Sequence, residues 1–364
     1  MRLADLETPA LLIDLDIMER NLARAADYAR AHDLRLRPHT KTHKIPALGR
    51  RQIQLGAVGL TVAKVGEAEV MLGADPPELL VAYPIIGRSK LERLMTVARR
   101  TRVTVSLDSL QVARPLSDAA REAQVRIGVL AEVDVGLGRV GVQPGEELIQ
   151  LAQGIQRLPW LDLEGFTFYP GHIKSLDEEG LREIDDLAGR VDAIVRDFRR
   201  HGLPLRVVSG GSTPALFHSH RVAGVTEIRP GTYIFNDRNT LLAGACRLED
   251  CAATILATIV STAREGSVII DGGSKTFSSD RLAVSAEPTF GYVVSAPEAV
   301  FHRMNEEHGY IDVRKAELAL DVGERLRIIP NHVCVAVNLH EQVYGVRGDC
   351  VEQVWKVEGR GKLQ

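Results

Sequence analysis

The chain has 364 residues, 45% hydrophobic and 26% charged, a length that suits about two domains or one large α/β barrel with an addition. This composition is typical of globular proteins and excludes an intrinsically disordered or collagen-like chain. The 45 Lys and Arg residues against 48 Asp and Glu residues give a formal net charge of −3. No net positive charge therefore attracts the chain to nucleic acid or to an anionic membrane.

The cysteines and the N-terminal sequence predict the compartment. Four cysteines in a chain of this length are too few for a disulfide scaffold, and no two form a C-x-x-C pair. The first residues show no secretory signal, no apolar run reaches the roughly 18 residues of a membrane span, and lipid-anchor signals are absent. We therefore expect a cytoplasmic protein with reduced thiols and with neither a nucleic-acid nor a membrane partner.

The first two thirds of the sequence alternate short β-rich runs with amphipathic stretches. A strand is predicted at 8–16, and apolar residues then recur at three- and four-residue spacing, as in helices, at 17–32, 66–73, 89–100, 109–123, 144–155 and 176–202. Eight apolar runs predict strands at 34–40, 57–63, 79–85, 103–109, 126–134, 163–172, 205–213 and 226–233. Near-continuous apolar strands that alternate with helices are typical of a parallel sheet buried on both faces. Eight such units favour a closed (β/α)8 barrel of the TIM type over an open sheet.

The pattern changes after about residue 240, where apolar runs are separated by short Gly, Pro and Asp turns and no long helix is predicted. The run at 324–339 is read as a strand. This region therefore predicts an antiparallel β domain. We assign the barrel to residues 17–240 and the β domain to 1–16 and 241–364, because the strand at 8–16 precedes the first barrel helix and is free to pair with the later strands.

Polar residues follow the predicted barrel strands at their carboxyl ends, where barrel enzymes collect their catalytic groups. These residues are His39, Thr40, Lys41, Thr61, Tyr83, Asp108, Asp134, Arg139, Tyr169, His172, 209–213 and 229–233. One polar strand end means little, but eight together indicate a lined pocket.

The segment RPHTKTHK, residues 37–44, places Lys41 between His39 and His43. Desolvation at a barrel mouth and neighbouring positive charge lower the pKa of a lysine. A partly neutral lysine forms a Schiff base with an aldehyde such as pyridoxal 5'-phosphate (PLP). The spacing alone also allows a solvated basic run, or a metal pair formed by the two histidines.

Two glycine-containing loops predict a phosphate site. SGGST at 209–213 follows the seventh strand, and PGTY at 230–233 follows the eighth, which are the loops that frequently bind phosphate in α/β barrels. Bare N–H groups and hydroxyls suit this role, although a simple turn is the alternative and no Walker loop is present. The run GLGRVGV at 136–142 lacks dinucleotide spacing, and its Arg139 is either a cation directed at an anionic oxygen or a surface arginine.

The segment PNHVC at 330–334 places His332 and Cys334 two residues apart, so on a strand both side chains share one face. Imidazole and thiolate together suit Zn²⁺, and two protein ligands leave positions open for water and substrate, as in catalytic zinc sites. The alternative is a core cysteine beside a hydrogen-bonded histidine.

Taken together, these motifs resemble the D-threonine aldolase/D-serine dehydratase family of fold-type III PLP enzymes, which are related to alanine racemase. The segments that carry the resemblance are 37–44, 59–70, 168–172, 209–215, 227–237, 271–280, 306–310 and 330–339. The resemblance covers essentially the whole chain, with the motifs in the same order. It implies a PLP-binding barrel, a C-terminal β domain and a homodimer.

The resemblance also implies roles for individual residues. Lys41 matches the lysine that holds PLP covalently, Arg139 matches an arginine near the phenolate oxygen of PLP, and Tyr169 matches a residue at its pyridine ring. The residues that match the phosphate site are Ser212, Thr213, Gly231 and Thr232, with Tyr233. His332 and Cys334 match a divalent-metal pair. His39 and His172 are candidates for moving protons. Zinc, manganese, magnesium and cobalt are all open as the metal.

The implied activity is a PLP- and metal-dependent lyase of D-β-hydroxy amino acids, with aldol cleavage of D-threonine-type substrates preferred. Aldolase members often carry a carboxylate where Cys334 stands, whereas dehydratases resemble the His/Cys pair. Dehydration of D-serine or 3-hydroxyaspartate to a 2-oxo acid and ammonia is therefore the alternative. An amino-acid racemase and a non-catalytic PLP-binding protein are further alternatives; the C-terminal domain counts against the second, because such proteins usually consist of the barrel alone.

Overall fold

The computed structural model describes residues 1–283, 285–316 and 320–364. Its chain forms two units. The barrel unit comprises Arg24–Lys41, Pro46–Gly231 and Gly361–Gln364, and the β unit comprises Met1–Ala23, Thr42–Ile45 and Thr232–Arg360.

The described residues contain helices α1 to α10 and strands β1 to β17, numbered in chain order. The helices are Leu15–Ala31, Pro46–Gln54, Val65–Met71, Arg88–Ala98, Leu110–Ala123, Glu146–Gln156, Glu178–Arg200, Arg238–Leu242, Ser274–Phe277 and Val333–Leu339. The strands are Ala10–Asp14, Arg35–Leu36, Leu60–Val62, Glu78–Val81, Arg102–Leu107, Ile127–Glu132, Leu161–Thr167, Val207–Gly210, Glu227–Ile228, Ala253–Arg264, Ser267–Ile270, Gly291–Val293, Val300–Met304, Gly309–Asp312, Arg325–Pro330, Gln342–Arg347 and Cys350–Lys356. Within this described part of the chain, no helix has the length and apolar character needed to cross a membrane.

Strands β2 to β9 form one parallel sheet in the order β2-β9-β8-β7-β6-β5-β4-β3. A parallel bridge between His39 and Thr61 joins the two ends of this order, and the N–H of Thr61 donates to the carbonyl of Pro38 at 2.8 Å. The eight strands coincide with the eight apolar runs of the sequence. The predicted α/β barrel is therefore confirmed.

Helix α7 shows how the barrel core is filled. Its buried residues Ile184, Leu187, Val191 and Phe198 recur at the spacing of one helix face. The ring of Phe198 packs on that of Phe166 in β7, with 5.2 Å between ring centroids, and both side chains are fully buried. Apolar periodicity in the sequence thus places this helix against the sheet, where burial of aromatic rings stabilises it.

The strands of the β unit form a second sheet in the order β11-β14-β13-β12-β15-β10-β1-β16-β17, and a further pairing of β11 with β10 closes part of it into a ring. Strand β1 pairs antiparallel with β10 and parallel with β16. The predicted antiparallel β domain is confirmed, including the pairing of the first strand with it, apart from this one parallel pair.

The prediction of a strand over 324–339 is wrong in its second half. Strand β15 ends at Pro330, and helix α10 begins at Val333. The N–H of Val333 donates to Oδ2 of Asp237 at 3.0 Å. A carboxylate from elsewhere in the chain therefore accepts a hydrogen bond from an N–H group at the start of the helix that has no partner within the helix. Val333, Ala336 and Val337 are its buried residues, a helical spacing that the alternating valines conceal in the sequence.

A chain of buried charged groups lies inside the barrel unit. Arg37 Nε donates to Glu227 Oε2 at 2.9 Å and its Nη2 to Glu78 Oε2 at 2.7 Å. Glu227 also accepts a hydrogen bond from Ser209 Oγ at 2.7 Å, and Ser209 Oγ accepts one from Arg229 Nη1 at 2.6 Å. Burial alone would lower the pKa of Arg37, but the carboxylates of Glu227 and Glu78 raise it. The guanidinium of Arg37 therefore stays charged between its two carboxylate partners.

We predict that Arg37→Met lowers the free energy of unfolding by about 3–5 kcal/mol, because it leaves the buried carboxylate of Glu227 without its cation. Arg30→Met is the matched control: the ion pair of Arg30 with Asp27 is 70% exposed on both sides, and its loss is expected to change stability by at most about 0.5 kcal/mol. Urea-induced unfolding of both variants measures the difference. Equal effects would contradict a structural role for the buried pair.

Candidate functional site

Lys41 lies in the barrel unit, in the short 3-10 turn Thr40–Thr42 that follows β2. Its N–H donates to Nδ1 of the half-buried His39 at 3.3 Å, and the N–H of His39 donates to the carbonyl of Pro230 at 2.9 Å. The side chain of Lys41 is exposed, so the desolvation that the sequence predicts for it is not present in this structure. The main chain of Lys41 is nevertheless fixed to the end of the barrel.

His43, the second histidine of the segment, lies in the β unit and is fully buried. Its Nδ1 accepts the N–H of Ile45 at 3.1 Å, the same local pattern that His39 makes with Lys41. Each of the two histidines therefore fixes its own turn with Nδ1. This contact gives both of them a structural role.

The SGGST turn follows β8 and needs its glycines. A Cβ on Gly210 would lie 2.2 Å from the ring of Phe168, and Gly211 has a φ of +98°. Ser212 is buried beyond this bend, and the N–H of Gly231, after β9, donates to Thr213 Oγ1 at 3.2 Å. The structure thus brings together the two loops from which the sequence predicts a phosphate site. A narrow glycine bend beside two hydroxyls fits a bound phosphate.

Thr232 and Tyr233, the remaining residues predicted for phosphate, lie in the β unit in the 3-10 turn Thr232–Ile234. Tyr233 is buried. Thr232 Oγ1 lies 3.7 Å from the sulfur of Cys334. Within the β unit, Thr232 is therefore a neighbour of the predicted metal pair.

The structure brings Arg139 and Tyr169 together in the barrel unit. The guanidinium of Arg139 lies 4.7 Å from the centroid of the Tyr169 ring, within range of a cation–π interaction. Arg139 is exposed and Tyr169 is half-buried. The cation of Arg139 and the phenol ring of Tyr169 thus lie against each other at the ends of neighbouring strands.

His172 lies against the loop that follows β6. Its Nδ1 is buried and has no hydrogen-bond partner among the residues that the structure describes. Burial would raise the pKa of the nearby Asp134, but the N–H groups of Gly136, Gly138 and Leu137 and the proximity of His172 hold it below its ordinary value. The glycine-containing run GLGRVGV therefore folds around a carboxylate, and His172 has a ring nitrogen available.

Glu132, the last residue of β6, is buried in the barrel unit and was not predicted as a site residue. Burial raises its pKa, against the charges of Arg229 and Arg139 and a hydrogen bond with Ser106. A glutamate inside the apolar run RIGVLAEVD is the sequence signal that could have indicated it, since carboxylates are seldom buried without a partner.

In the β unit, His332 and Cys334 lie at the start of α10. His332 is the residue before the first helical turn and Cys334 lies within that turn, so the two side chains come together on a helix start and not on a strand face. Cys334 also lies near Thr42, with 3.2 Å between Sγ and Oγ1.

The ring of His332 is held by charged neighbours. Its Nδ1 lies 2.7 Å from Asp280 Oδ2. Burial would lower the pKa of His332, but hydrogen bonds with Cys334 and Asp280 and the charges of Cys334 and Asp237 raise it to about 10. Among residues 1–283, 285–316 and 320–364, no group of three or more His, Cys, Asp or Glu side chains is placed to hold a metal ion. An imidazole and a thiol in contact form a donor set that fits a divalent metal with two protein ligands.

Comparison with known proteins identifies two family regions. Residues 13–239 match the family described as "Alanine racemase, N-terminal domain", and residues 252–346 match "Putative serine dehydratase domain". The chain is 32% identical to the D-threonine aldolase of Arthrobacter sp, covering 99% of this chain and 94% of that protein. It is 33% identical to the D-threo-3-hydroxyaspartate dehydratase of Delftia sp. (strain HT23), covering 97% and 98%.

Solved structures agree with these matches. The crystal structure of D-threonine aldolase from Filomicrobium marinum has a TM-score of 0.92 at 32% identity and covers 100% of this chain and 98% of its own. A cysteine-to-alanine variant of the D-threo-3-hydroxyaspartate dehydratase, described as the metal-free form, has a TM-score of 0.88 at 30% identity, covering 98% of each chain. The chain therefore belongs to the alanine racemase-like family that contains D-threonine aldolases, 3-hydroxyaspartate aldolases and dehydratases, and D-serine dehydratases.

Proposed function

We propose that the chain is a PLP- and divalent-metal-dependent lyase that cleaves D-threonine-type β-hydroxy amino acids to glycine and an aldehyde. The observation that carries the proposal is the contact between His332 and Cys334 at the start of α10, in a chain that also has a lysine and a phosphate-type glycine turn at the barrel strand ends. Relatives that align with nearly the whole chain include an aldolase and a dehydratase.

The barrel unit supplies the residues that would hold PLP. Lys41 Nζ would bind its aldehyde, and the hydroxyls of Ser212 and Thr213 and the main chain near Gly231 would bind its phosphate. When bound, PLP supplies an electron sink for charge that develops at the substrate Cα. Arg139 and Tyr169 are in contact with each other and provide a cation and an aromatic ring for the remainder of the cofactor.

His172 and Lys41 are the groups we propose for moving protons. Buried His172 Nδ1 has no partner in the described part of the chain, so it is available to exchange a proton. Lys41 Nζ is the second group that would exchange a proton, at the substrate Cα. His39 Nδ1 accepts the N–H of Lys41 and positions this turn.

His332 and Cys334 would hold the metal. A divalent ion lowers the pKa of a hydroxyl that it binds, which for this substrate is the β-hydroxyl. Removal of the hydroxyl proton then favours cleavage between Cα and Cβ. Zn²⁺ suits the imidazole and thiolate pair, and Mn²⁺, Mg²⁺ and Co²⁺ are the alternatives that the family resemblance leaves open. A D-threo-3-hydroxyaspartate dehydratase whose cysteine variant is described as metal-free supports the role of Cys334.

Dehydration is the second candidate reaction, and the identity of Cys334 favours it, because aldolases of this family often carry a carboxylate at that position. Loss of the Cα proton and of the β-hydroxyl removes water from D-serine and leaves 2-aminoacrylate. Its imine tautomer takes up one water and is hydrolysed to pyruvate and ammonia. An amino-acid racemase needs two bases and no metal, so the metal pair counts against it. We further propose that the enzyme acts as a homodimer, as the family resemblance implies.

We predict that Lys41→Ala abolishes both activity and the visible absorbance band of lysine-bound PLP. The other lysine of the segment, Lys44, is buried and its Nζ donates to Asn338 Oδ1 at 2.8 Å, so we do not expect it to replace Lys41. Lys90→Ala, which removes an exposed lysine in α4, should keep both. Absorbance spectra of the two purified variants after incubation with PLP make the comparison. An unchanged spectrum in Lys41→Ala would refute the cofactor assignment.

We predict that His332→Ala loses bound metal and nearly all turnover but keeps the PLP band, because the metal pair loses its imidazole while the barrel unit is unchanged. His302→Ala, an exposed histidine in β13, serves as the control. Metal analysis, absorbance and turnover with and without EDTA test this. Activity that persists in EDTA would remove the metal from the mechanism and favour the racemase.

We predict that D-threonine gives glycine and acetaldehyde, and that D-serine gives little pyruvate. Assays for aldehyde and glycine, run beside assays for 2-oxo acid and ammonia on the same enzyme preparation, separate the reactions because the two sets of products do not overlap. If 2-oxo acid and ammonia are the main products from both substrates, the enzyme is a dehydratase.

A further inference from the structure

The segment after α9 brings a carboxylate against the histidine of the metal pair. Asp280 Oδ2 lies 2.7 Å from His332 Nδ1, and the side chains are 42% and 38% exposed. Asp280 closes the motif DGGSKTFSSD, residues 271–280, to which the proposed reaction gives no role. The carboxylate of Asp280 is thus within hydrogen-bond distance of Nδ1 of the His332 ring.

The main chain around Asp280 is fixed to the residue before His332. Nδ2 of Asn331, which is 2% exposed, donates to the carbonyl of Asp280 at 3.1 Å and to the carbonyl of Thr289 at 2.6 Å. The N–H of Asp280 donates to Ser278 Oγ at 3.1 Å. Because Asn331 and His332 are adjacent, one side-chain amide sets the separation between the carboxylate and the imidazole.

The hydrogen bond determines which nitrogen can bind a metal. A neutral imidazole carries its proton on one nitrogen and offers a lone pair on the other. With Nδ1–H donating to a carboxylate, Nε2 has the lone pair, on the opposite side of the ring from Asp280. A carboxylate in this place fixes the tautomer and ring orientation of a metal-binding histidine and makes it a stronger ligand.

Asp237, the second carboxylate near His332 and Cys334, forms hydrogen bonds with the main chain and not with the imidazole ring. Asp237 is 1% exposed, and its two oxygens accept the N–H of Thr240 at 2.9 Å and the N–H of Val333 at 3.0 Å. It therefore holds main chain at the starts of α8 and α10. Asp280 is the carboxylate that meets the ring itself.

We propose that Asp280 is a positioning residue that holds His332 as the tautomer whose lone pair is on Nε2, and thereby sets the affinity of the His332–Cys334 pair for its divalent ion. This inference rests on the metal role proposed above. Asp280 is not a ligand in this arrangement. It acts through the histidine.

The test is metal affinity, measured on the full chain carrying PLP after removal of metal. Zn²⁺ and Co²⁺ are titrated in competition with a chromophoric chelator into the wild type, Asp280→Ala, Asp280→Asn and His332→Ala. Asp312→Ala is the matched control, because Asp312 lies on β14 of the same unit and pairs with Arg314, remote in sequence from the pair. Thermal unfolding and the PLP band are recorded for every variant.

Asp280→Ala is expected to weaken the affinity by about 10–100-fold, with the thiolate-to-Co²⁺ absorption still present at saturation because Cys334 remains. Asp280→Asn keeps an acceptor for Nδ1–H, so its metal affinity should lie between those of Asp280→Ala and the wild type. If Asp280→Ala does not fold, the affinity of Asp280→Asn still tests the positioning role. Wild-type affinity in the Asp280 variants, beside lost binding in His332→Ala, would overturn the positioning role alone. Absence of metal binding by the wild type would overturn the proposed function together with it.

Discussion

Buried charge inside the barrel unit is the constraint on which the positions of the residues proposed to bind the cofactor depend. Arg37, Ser209, Glu227 and Arg229 come from three strands or their ends and are linked to one another by hydrogen bonds. The two arginines also donate to Glu78 and to the carbonyl of Phe168. An unpaired charge at such depth costs several kcal/mol, so the strands are held in one register. Lys41 follows Arg37 by four residues in the sequence, Ser212 follows Ser209 by three, and Gly231 follows Arg229 by two. The network therefore fixes where each loop of the proposed cofactor site begins.

The β unit positions its chemistry differently. His332 and Cys334 do not extend from the end of a strand but from the first turn of a short helix, whose start is held by a buried carboxylate. Their separation follows from the helix geometry, and the ring orientation follows from Asp280. Rigid main-chain anchors on either side leave the two side chains few alternative arrangements. This is the preorganisation that the proposed two-residue metal site would need.

Much of this was available from the sequence. The alternation of apolar runs with amphipathic stretches predicts the barrel, because buried parallel strands and surface helices impose different periods on the chain. The glycine turn at 209–213 and its pairing with the loop at 230–233 were also predictable, since both follow strands. Helix α2, Pro46–Gln54, is not predicted from the sequence. The helix is short and directly follows a basic segment, so the spacing of its apolar residues is hard to recognise.

The remaining misses have a common physical cause, which is that long-range contacts override local patterns. Val333, Val335 and Val337 alternate as in a strand. The segment is nevertheless a helix, because the carboxylate of Asp237, distant in sequence, accepts the N–H of Val333 at its start. In the sequence, Glu132 stands out as a charged residue within an apolar strand, but only the fold shows that Arg229 and Arg139 lie near it. The exposure of Lys41 likewise depends on how its turn is placed, which spacing does not encode.

Asp237 has a consequence for how this sequence can vary. One buried carboxylate caps α8 through Thr240 and begins α10 through Val333, so two distant stretches of chain share a single acceptor. An alanine there would orphan both helix starts at once, and even asparagine would offer only one acceptor oxygen to two donors. Among the twenty amino acids, only aspartate therefore places two acceptor oxygens at this position on a side chain of this length.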